Sequence, residues 1–215
     1  QTVNVSSVKS WLSLEFPDVD SNPLKNGAAF LVKGQAPTSI VVPDEITKIN
    51  DYAFYGCDSI TEIVLNKNVT AVGEYAFNGC SELNSITLSN VESINSYAFA
   101  GTTSLGPVIC DNLVEIGTES FAQSGVSLFN APKLTSLANN VFVDCTDLVS
   151  ASMPLLTVLS IGTFKNCTSL KEVSLDAVTD IKANAFRNSS IERFVGLNVE
   201  NVGNYAFADN HHLVA

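Results

Sequence analysis

Charge is scarce in this chain. Asp, Glu, Lys and Arg make up 15% of 215 residues, against about 25% in an average soluble protein. Cations are the scarcer half: 11 Lys and Arg against 22 Asp and Glu, a net charge of −11. A chain so depleted in cations offers no basic patch to a phosphate backbone or an anionic lipid surface, so nucleic-acid partners are excluded. Direct membrane insertion is excluded as well, because no run approaches the roughly 18 to 20 consecutive apolar residues that span a bilayer. The longest apolar runs are pieces such as Ile40–Val42. There are two histidines, adjacent at His211 and His212, so catalysis by dispersed imidazoles is nearly ruled out. Five cysteines leave at least one thiol unpaired, and no C-x-x-C pair occurs. Neither a small disulfide scaffold nor a zinc site is expected. Residue 1 is Gln rather than Met, as expected of a chain that has been processed, with a leader removed, or that was cut for expression.

What is present is apolar side chains (46%), with 24 Ser and 21 Asn supplying uncharged polarity. They are ordered by an internal repeat. Phe54, Phe77, Phe99, Phe121, Phe142, Phe164, Phe186 and Phe207 recur every 21 to 23 residues. Five residues before each stands Ile49, Val72, Ile94, Ile116, Leu137, Leu159, Ile181 or Val202, and eight before each stands Ile46, Val69, Val91, Leu113, Leu134, Leu156, Val178 or Val199. A fourth column after the Phe holds Ile60, Leu83, Leu105, Val126, Leu148, Leu170, Ile191 and Leu213. One such unit cannot bury its apolar side alone, whereas stacked units share a continuous core. The eight phenylalanines are therefore expected to form a ladder. Segments such as Leu83–Leu88 and Leu170–Leu175 alternate apolar and polar, the pattern of a half-buried strand. One parallel strand per repeat lines one side of the coil, and a short extended piece with a helical turn ("DYAF", "EYAF") lines the other. A unit of this length is too short for two full helices, which excludes tetratricopeptide and ankyrin repeats.

The segments "VTAVGEYAFNGCSELNSITL" and "ITKINDYAFYGCDSITEIVL" resemble the BspA-like branch of the leucine-rich repeats, with its "L-x-x-I-x-L" then "I-G-x-x-A-F-x-x-C". The resemblance implies a leucine-rich repeat solenoid, a right-handed β/α superhelix of eight repeats over 46–215, the last incomplete. Cys57, Cys80, Cys145 and Cys167 fill the family's Cys slot, while Thr102, Ser124, Ser189 and Asn210 replace it elsewhere. Residues 1–45 do not repeat. Val8, Trp11, Leu12 and Phe16 fall at helical spacing, with Ser7 as N-cap and Pro17 as terminator, which predicts a short helix over 7–16. "AAFLVKG" and "TSIVVP" read as two strands flanking a turn. This segment resembles the family's N-terminal cap, and Trp11 and Phe16 are the natural cover of the first rung. At the far end, Leu213-Val214-Ala215 reads as a stub edge rung or as a place where the natural protein continues.

Sites of chemistry are few. Asp18-Val19-Asp20-Ser21-Asn22 has oxygen ligands at alternate positions, but Pro23 and Ala29 stand where a calcium loop needs Gly and Glu, so a turn with Asx-type bonds is expected. Cys57 beside Cys80, and Cys145 beside Cys167, read as small buried thiols rather than bridges, and Cys110 as core. His211 and His212 read as a solvated pair. No G-x-S-x-G elbow is present, and Glu62 and Glu172 are five rungs apart, too far for a glycosidase pair. The reading is a non-enzymatic, monomeric protein without metal or cofactor. Its candidate protein-binding surface is the outward face of the strand column: Glu62, Ser85, Pro107, Leu128, Ser150, Glu172 and Arg193 in one row, and Val64, Thr87, Ile109, Asn130, Ser152, Ser174 and Val195 in the next. Ile109 and Leu128 make an apolar spot on it. The tyrosines Tyr52, Tyr75, Tyr97 and Tyr205, two residues before their Phe, are expected near the turn, partly buried by stacking. The resemblance implies a secreted or surface-attached bacterial protein that adheres to host proteins or other cells. The alternative is a structural spacer that displays another domain and has no ligand of its own.

Overall fold

In the computed structural model, which describes residues 1–214, the repeats contribute one short strand to either side of a coil, except that the front segment around 193–195 forms none. On the front, Ser39–Val41, Glu62–Val64 and Ser85–Ile86 pair in parallel, and Val108–Ile109, Leu128–Asn130, Ser150–Ser152 and Glu172–Ser174 form a second group. The break between them falls at Pro107, opposite Ser85, where proline has no N–H for the ladder. The back carries two-residue strands, from Lys48–Ile49 through Ser136–Leu137 in one group and from Val158–Leu159 to Asn201–Val202 in another. All pairings between rungs are parallel and one repeat apart, as a solenoid requires. Strand Ser39–Val41 pairs in register with Glu62–Val64 and so already acts as a rung, although the repeat columns start only at Ile46.

The phenylalanines stack without a gap. Successive ring centroids from Phe54 to Phe207 lie 5.1–5.6 Å apart, with interplanar angles of 7–21°. Phe54, Phe99, Phe121, Phe142, Phe164 and Phe186 are wholly buried. Phe129, inward on its strand, meets Phe121 and Phe142 edge-on at 5.6 and 4.8 Å and locks the middle of the stack to the front sheet.

A backbone feature underlies this regularity. Two residues before each ladder Phe, φ is +53 to +63°, at Tyr52, Tyr75, Tyr97, Glu119, Asn140, Gly162, Asn184 and Tyr205. Two residues after it, φ is positive again, from Gly56 to Asp209. The "DYAF" turn closes with bonds such as Tyr55 N–H to Tyr52 O, and the flanking left-handed residues stop it from growing into a helix. This conformation turns the Phe N–H along the solenoid axis. Phe54 donates to the Ala76 carbonyl at 2.7 Å, and the same bond recurs through Phe186 to Ala206 at 2.7–3.0 Å.

The N-terminal segment terminates this ladder. Its helix spans Val8–Leu12, capped by a reciprocal Ser7–Ser10 pair. It stops four residues short of the expected end because Asn50 of the first repeat takes the Leu12 and Leu14 carbonyls with its side-chain amide, at 3.2 and 2.9 Å. Trp11 and Leu12 are 2% exposed. The Trp11 indole N–H donates to Ala53 O at 2.8 Å, the one carbonyl in its column with no preceding repeat to supply a Phe N–H. Phe30 sits between Trp11 (5.2 Å) and Phe54 (5.8 Å, edge-on) and closes the stack. An additional strand, Thr2–Val5, pairs in parallel with Ala29–Val32. Leu213 packs against the core, Val214 N–H reaches Glu192 O at 3.0 Å, and Ala215 lies outside the described residues.

Phe121→Ala is expected to cost about 3–5 kcal/mol in a urea unfolding curve, from lost transfer energy and the cavity left between two rings. Trp11→Phe keeps most of the apolar cover but orphans the Ala53 carbonyl. It should cost about 1–3 kcal/mol, and amide hydrogen exchange should accelerate first in residues 50–57.

Candidate protein-binding face

Strand alternation decides which side chains leave the core. In Leu128–Asn130 and Ser150–Ser152 the central residues, Phe129 and Ala151, point inward and are buried. The flanking residues of every front strand therefore face outward, and all fourteen residues of the two outward rows are exposed or half-buried. Register places Leu128, Ser150 and Glu172 side by side in one row, and Ile109, Asn130, Ser152 and Ser174 in the next. Arg193 and Val195 continue the rows in a segment with no assigned strand.

The apolar spot is a depression rather than a plane. Ile109, 51% exposed, and Leu128, 38% exposed, border a hollow of about 450 Å³ whose floor is Phe129, Ala151 and Val173 and whose far wall holds Glu172. A second hollow, about 650 Å³, shares Glu172 and Val173 and adds Lys171, Arg193 and Val195. Polarity thus grades along the face from an aliphatic spot to a charged end. Near the N-terminal end, the Glu62 carboxylate accepts a hydrogen bond from Ser39 Oγ at 2.8 Å. The depth comes from small side chains: Ser150, Ala151, Ser152 and Ser174 leave the space that larger residues would fill.

The other sequence candidates resolve into structural roles. Asp18 caps the short turn Val19–Ser21, accepting from Ser21 N–H at 2.9 Å and Ser21 Oγ–H at 2.8 Å, and the Ser21 bonds hold its carboxyl below the usual carboxylate range. His211 and His212 are exposed. Among the described residues, no three His, Cys, Asp or Glu side chains converge where a metal ion would sit.

The cysteine slot has a physical explanation that residue types alone did not reveal. The five thiols are free and buried. Cys80, Cys145 and Cys167 each donate to the carbonyl of the ladder Phe one repeat back, at 3.0, 2.9 and 3.1 Å. Asn210 does the same to Phe186 O at 2.6 Å, and Thr102 to Phe99 O of its own repeat at 2.7 Å. Ser124 and Ser189 in the same slot bond the next repeat's slot residue instead, Cys145 Sγ at 3.5 Å and Asn210 Oδ1 at 2.7 Å, so the slot takes a small hydrogen-bonding side chain and sulfur is one solution. Burial pushes the Cys110 and Cys145 thiols up to about 12.

The model of the BspA type leucine-rich repeat region matches residues 29–149 and 107–214 in six copies. The chain belongs to this family. Its fold is similar to a leucine-rich repeat protein of T. pallidum (25% identity, TM-score 0.67, covering 84% of this chain and 80% of that one). It is also similar to a leucine-rich repeat protein of Bacteroides ovatus (24% identity, TM-score 0.61, 87% of this chain and 60% of that one). A leucine-rich cell surface protein of Faecalibacterium prausnitzii matches at 22% identity and TM-score 0.60, over 83% of this chain and 47% of that one. The chain thus spans about half to four-fifths of the length of these proteins. No curated protein matches.

Cys80→Ser keeps a donor for Phe54 O, whereas Cys80→Ala removes it. The Ala variant should be the less stable by about 1 kcal/mol in chemical denaturation. Because burial holds the folded Cys110 and Cys145 near 12 against an ordinary thiol value of 9.0, the unfolded chain releases these protons first. Stability from this source is complete below pH 9.0 and falls as pH rises toward about 12. Thiol-blocking reagents at neutral pH should label the unfolded protein and spare the folded one.

Proposed function

We propose that this leucine-rich repeat chain is a non-enzymatic protein-binding module, displayed outside the cell or on its surface, that engages a protein partner through the front sheet. The observation that carries the reading is the hollow bordered by Ile109 and Leu128: an exposed aliphatic spot on a rigid sheet, rimmed by Ser, Asn and Glu172. Interfaces place an apolar centre inside a polar rim in this way. Rigidity lowers the entropic cost of binding, because the outward side chains sit on strands whose inner residues are locked against the Phe stack. The charge balance, −11 overall, favours a protein partner over nucleic acid. A surface setting is supported by the family and by the cell-surface description of the Faecalibacterium prausnitzii protein. In this role the chain is a monomeric adhesive unit that needs no cofactor.

The test is binding of the purified chain, at micromolar concentration, to a panel of immobilised extracellular matrix proteins. At least one should capture it, and the double variant Ile109→Asn/Leu128→Asn should weaken that capture by about tenfold or more while leaving the unfolding midpoint unchanged. Capture that ignores the double variant removes the front sheet from the interface. No capture by any member favours a structural spacer instead.

A further inference from the structure

Four of the five tyrosines gather on another side of the solenoid, at its N-terminal end. Tyr52, Tyr75 and Tyr97 occupy the left-handed position of three consecutive repeats, and their rings stack at 5.3 and 4.6 Å with interplanar angles of 6°. Tyr55 leans on Tyr52 and Tyr75 at 6.4 and 6.3 Å. All four are half-buried, so each ring is fixed by its neighbours and still reaches solvent. Tyrosine ordinarily avoids positive φ. Here the backbone ladder imposes it, and the side chains are held as a preformed aromatic surface.

Its surroundings are acidic. Tyr52 lines a hollow of about 550 Å³ shared with Phe16, Pro17, Glu15, Asp51 and Glu74, where Lys48 is the single cation and is already paired with Asp51 at 3.5 Å. Burial, and then the nearby Glu74 carboxylate, hold the Tyr52 phenol above its ordinary value. Beyond Tyr97, the corresponding left-handed position of the next repeat is Glu119.

The far end of the same molecule shows what these positions accept. The slot that holds Tyr55, one residue after the ladder Phe, holds Arg187 in a later repeat, and the left-handed slot of the following repeat holds Tyr205. There the Arg187 guanidinium lies over the Tyr205 ring, 5.8 Å from its centroid, while its Nε donates to Asp209 at 3.2 Å. In the N-terminal cluster Tyr55 fills the slot of Arg187 and Gly79 that of Asp209, so the carboxylates beside the rings come from Asp51 and Glu74, and no arginine among the described residues lies over these tyrosines.

We propose that the Tyr52–Tyr55–Tyr75–Tyr97 surface, with Glu74 and the adjoining acidic hollow, is a docking site for an arginine-bearing segment of a partner protein. The guanidinium stacks on the outer face of an end ring of the stack, Tyr52 beside the acidic hollow, and its N–H groups bond the carboxylates, which a compact ammonium cannot match in both respects. The proposal rests on the reading of this chain as a protein-binding module but uses a different face from the front sheet.

The probe is a short alternating Gly–Arg peptide, titrated into the intact chain while the tyrosine ring resonances are followed by NMR, with a Gly–Lys peptide of equal length as comparison. The rings of Tyr52, Tyr55, Tyr75 and Tyr97 should shift, and the arginine peptide should bind about threefold tighter. Tyr52→Leu/Tyr75→Leu should weaken it about five- to tenfold. Tyr52→Phe, which keeps the ring, should retain most of the affinity, and Glu74→Gln should lower it without touching the fold. Ile109→Asn/Leu128→Asn should leave it unchanged, so that failure here and failure of the front sheet are told apart. Equal binding of both peptides, or shifts spread evenly over the acidic surface with no loss in the tyrosine variant, overturns the proposal.

Discussion

The hydrogen bond from each ladder Phe N–H but the last to the carbonyl one repeat ahead is the constraint on which this molecule depends. It repeats from Phe54–Ala76 to Phe186–Ala206 and points the same way at every step. A bond of this kind forms only if the turn around each Phe has the same shape in every repeat. That shape needs a left-handed residue on both sides of the Phe, and every repeat has both. The ring stack follows, since identical backbones at one-repeat offsets bring identical side chains face to face. Burial of the rings then supplies the apolar free energy that a single repeat cannot generate alone.

An axial ladder has an end, and the N-terminal segment is built around that fact. Its helix presents Trp11, whose ring covers the apolar column and whose N–H satisfies the carbonyl that the missing preceding rung would have paired. The donor slot beside each Phe obeys the same logic on a smaller scale. Cys80, Cys145, Cys167 and Asn210 differ in chemistry but deliver a proton to the same carbonyl column. In both places the side chain completes a backbone pattern, and its identity matters less than its ability to donate from a confined space.

A scaffold whose interior is so fully committed leaves its outer rows as the surface open to a partner. The front sheet offers a shallow aliphatic hollow among small polar residues, and the N-terminal corner offers stacked tyrosines among carboxylates. Neither holds a nucleophile with a base, and the buried thiols are pushed away from reactivity by desolvation. Both surfaces are rigid for the same reason: each is carried by residues adjacent to the Phe ladder. Recognition by preformed surfaces of different chemistry is the behaviour the architecture supports.

Much of this was legible in the residue pattern, because a repeat writes its core into every period. The Phe column, the aliphatic columns, the strand alternation and hence the outward rows all follow from spacing, and the capping role of Trp11 follows from its position before the first repeat. Signs of the left-handed turn were present too: Asn140, Gly162 and Asn184 share a column with the tyrosines, and Asn and Gly are the residues that tolerate positive φ. Spacing could not show the length of the first helix, the pairing of Thr2–Val5 with Ala29–Val32, the break at Pro107 or the donor role of the cysteines. Each depends on which backbone group lies across from it one repeat away. A pattern along the chain records what is buried, whereas partners across the chain exist only once the rungs are stacked.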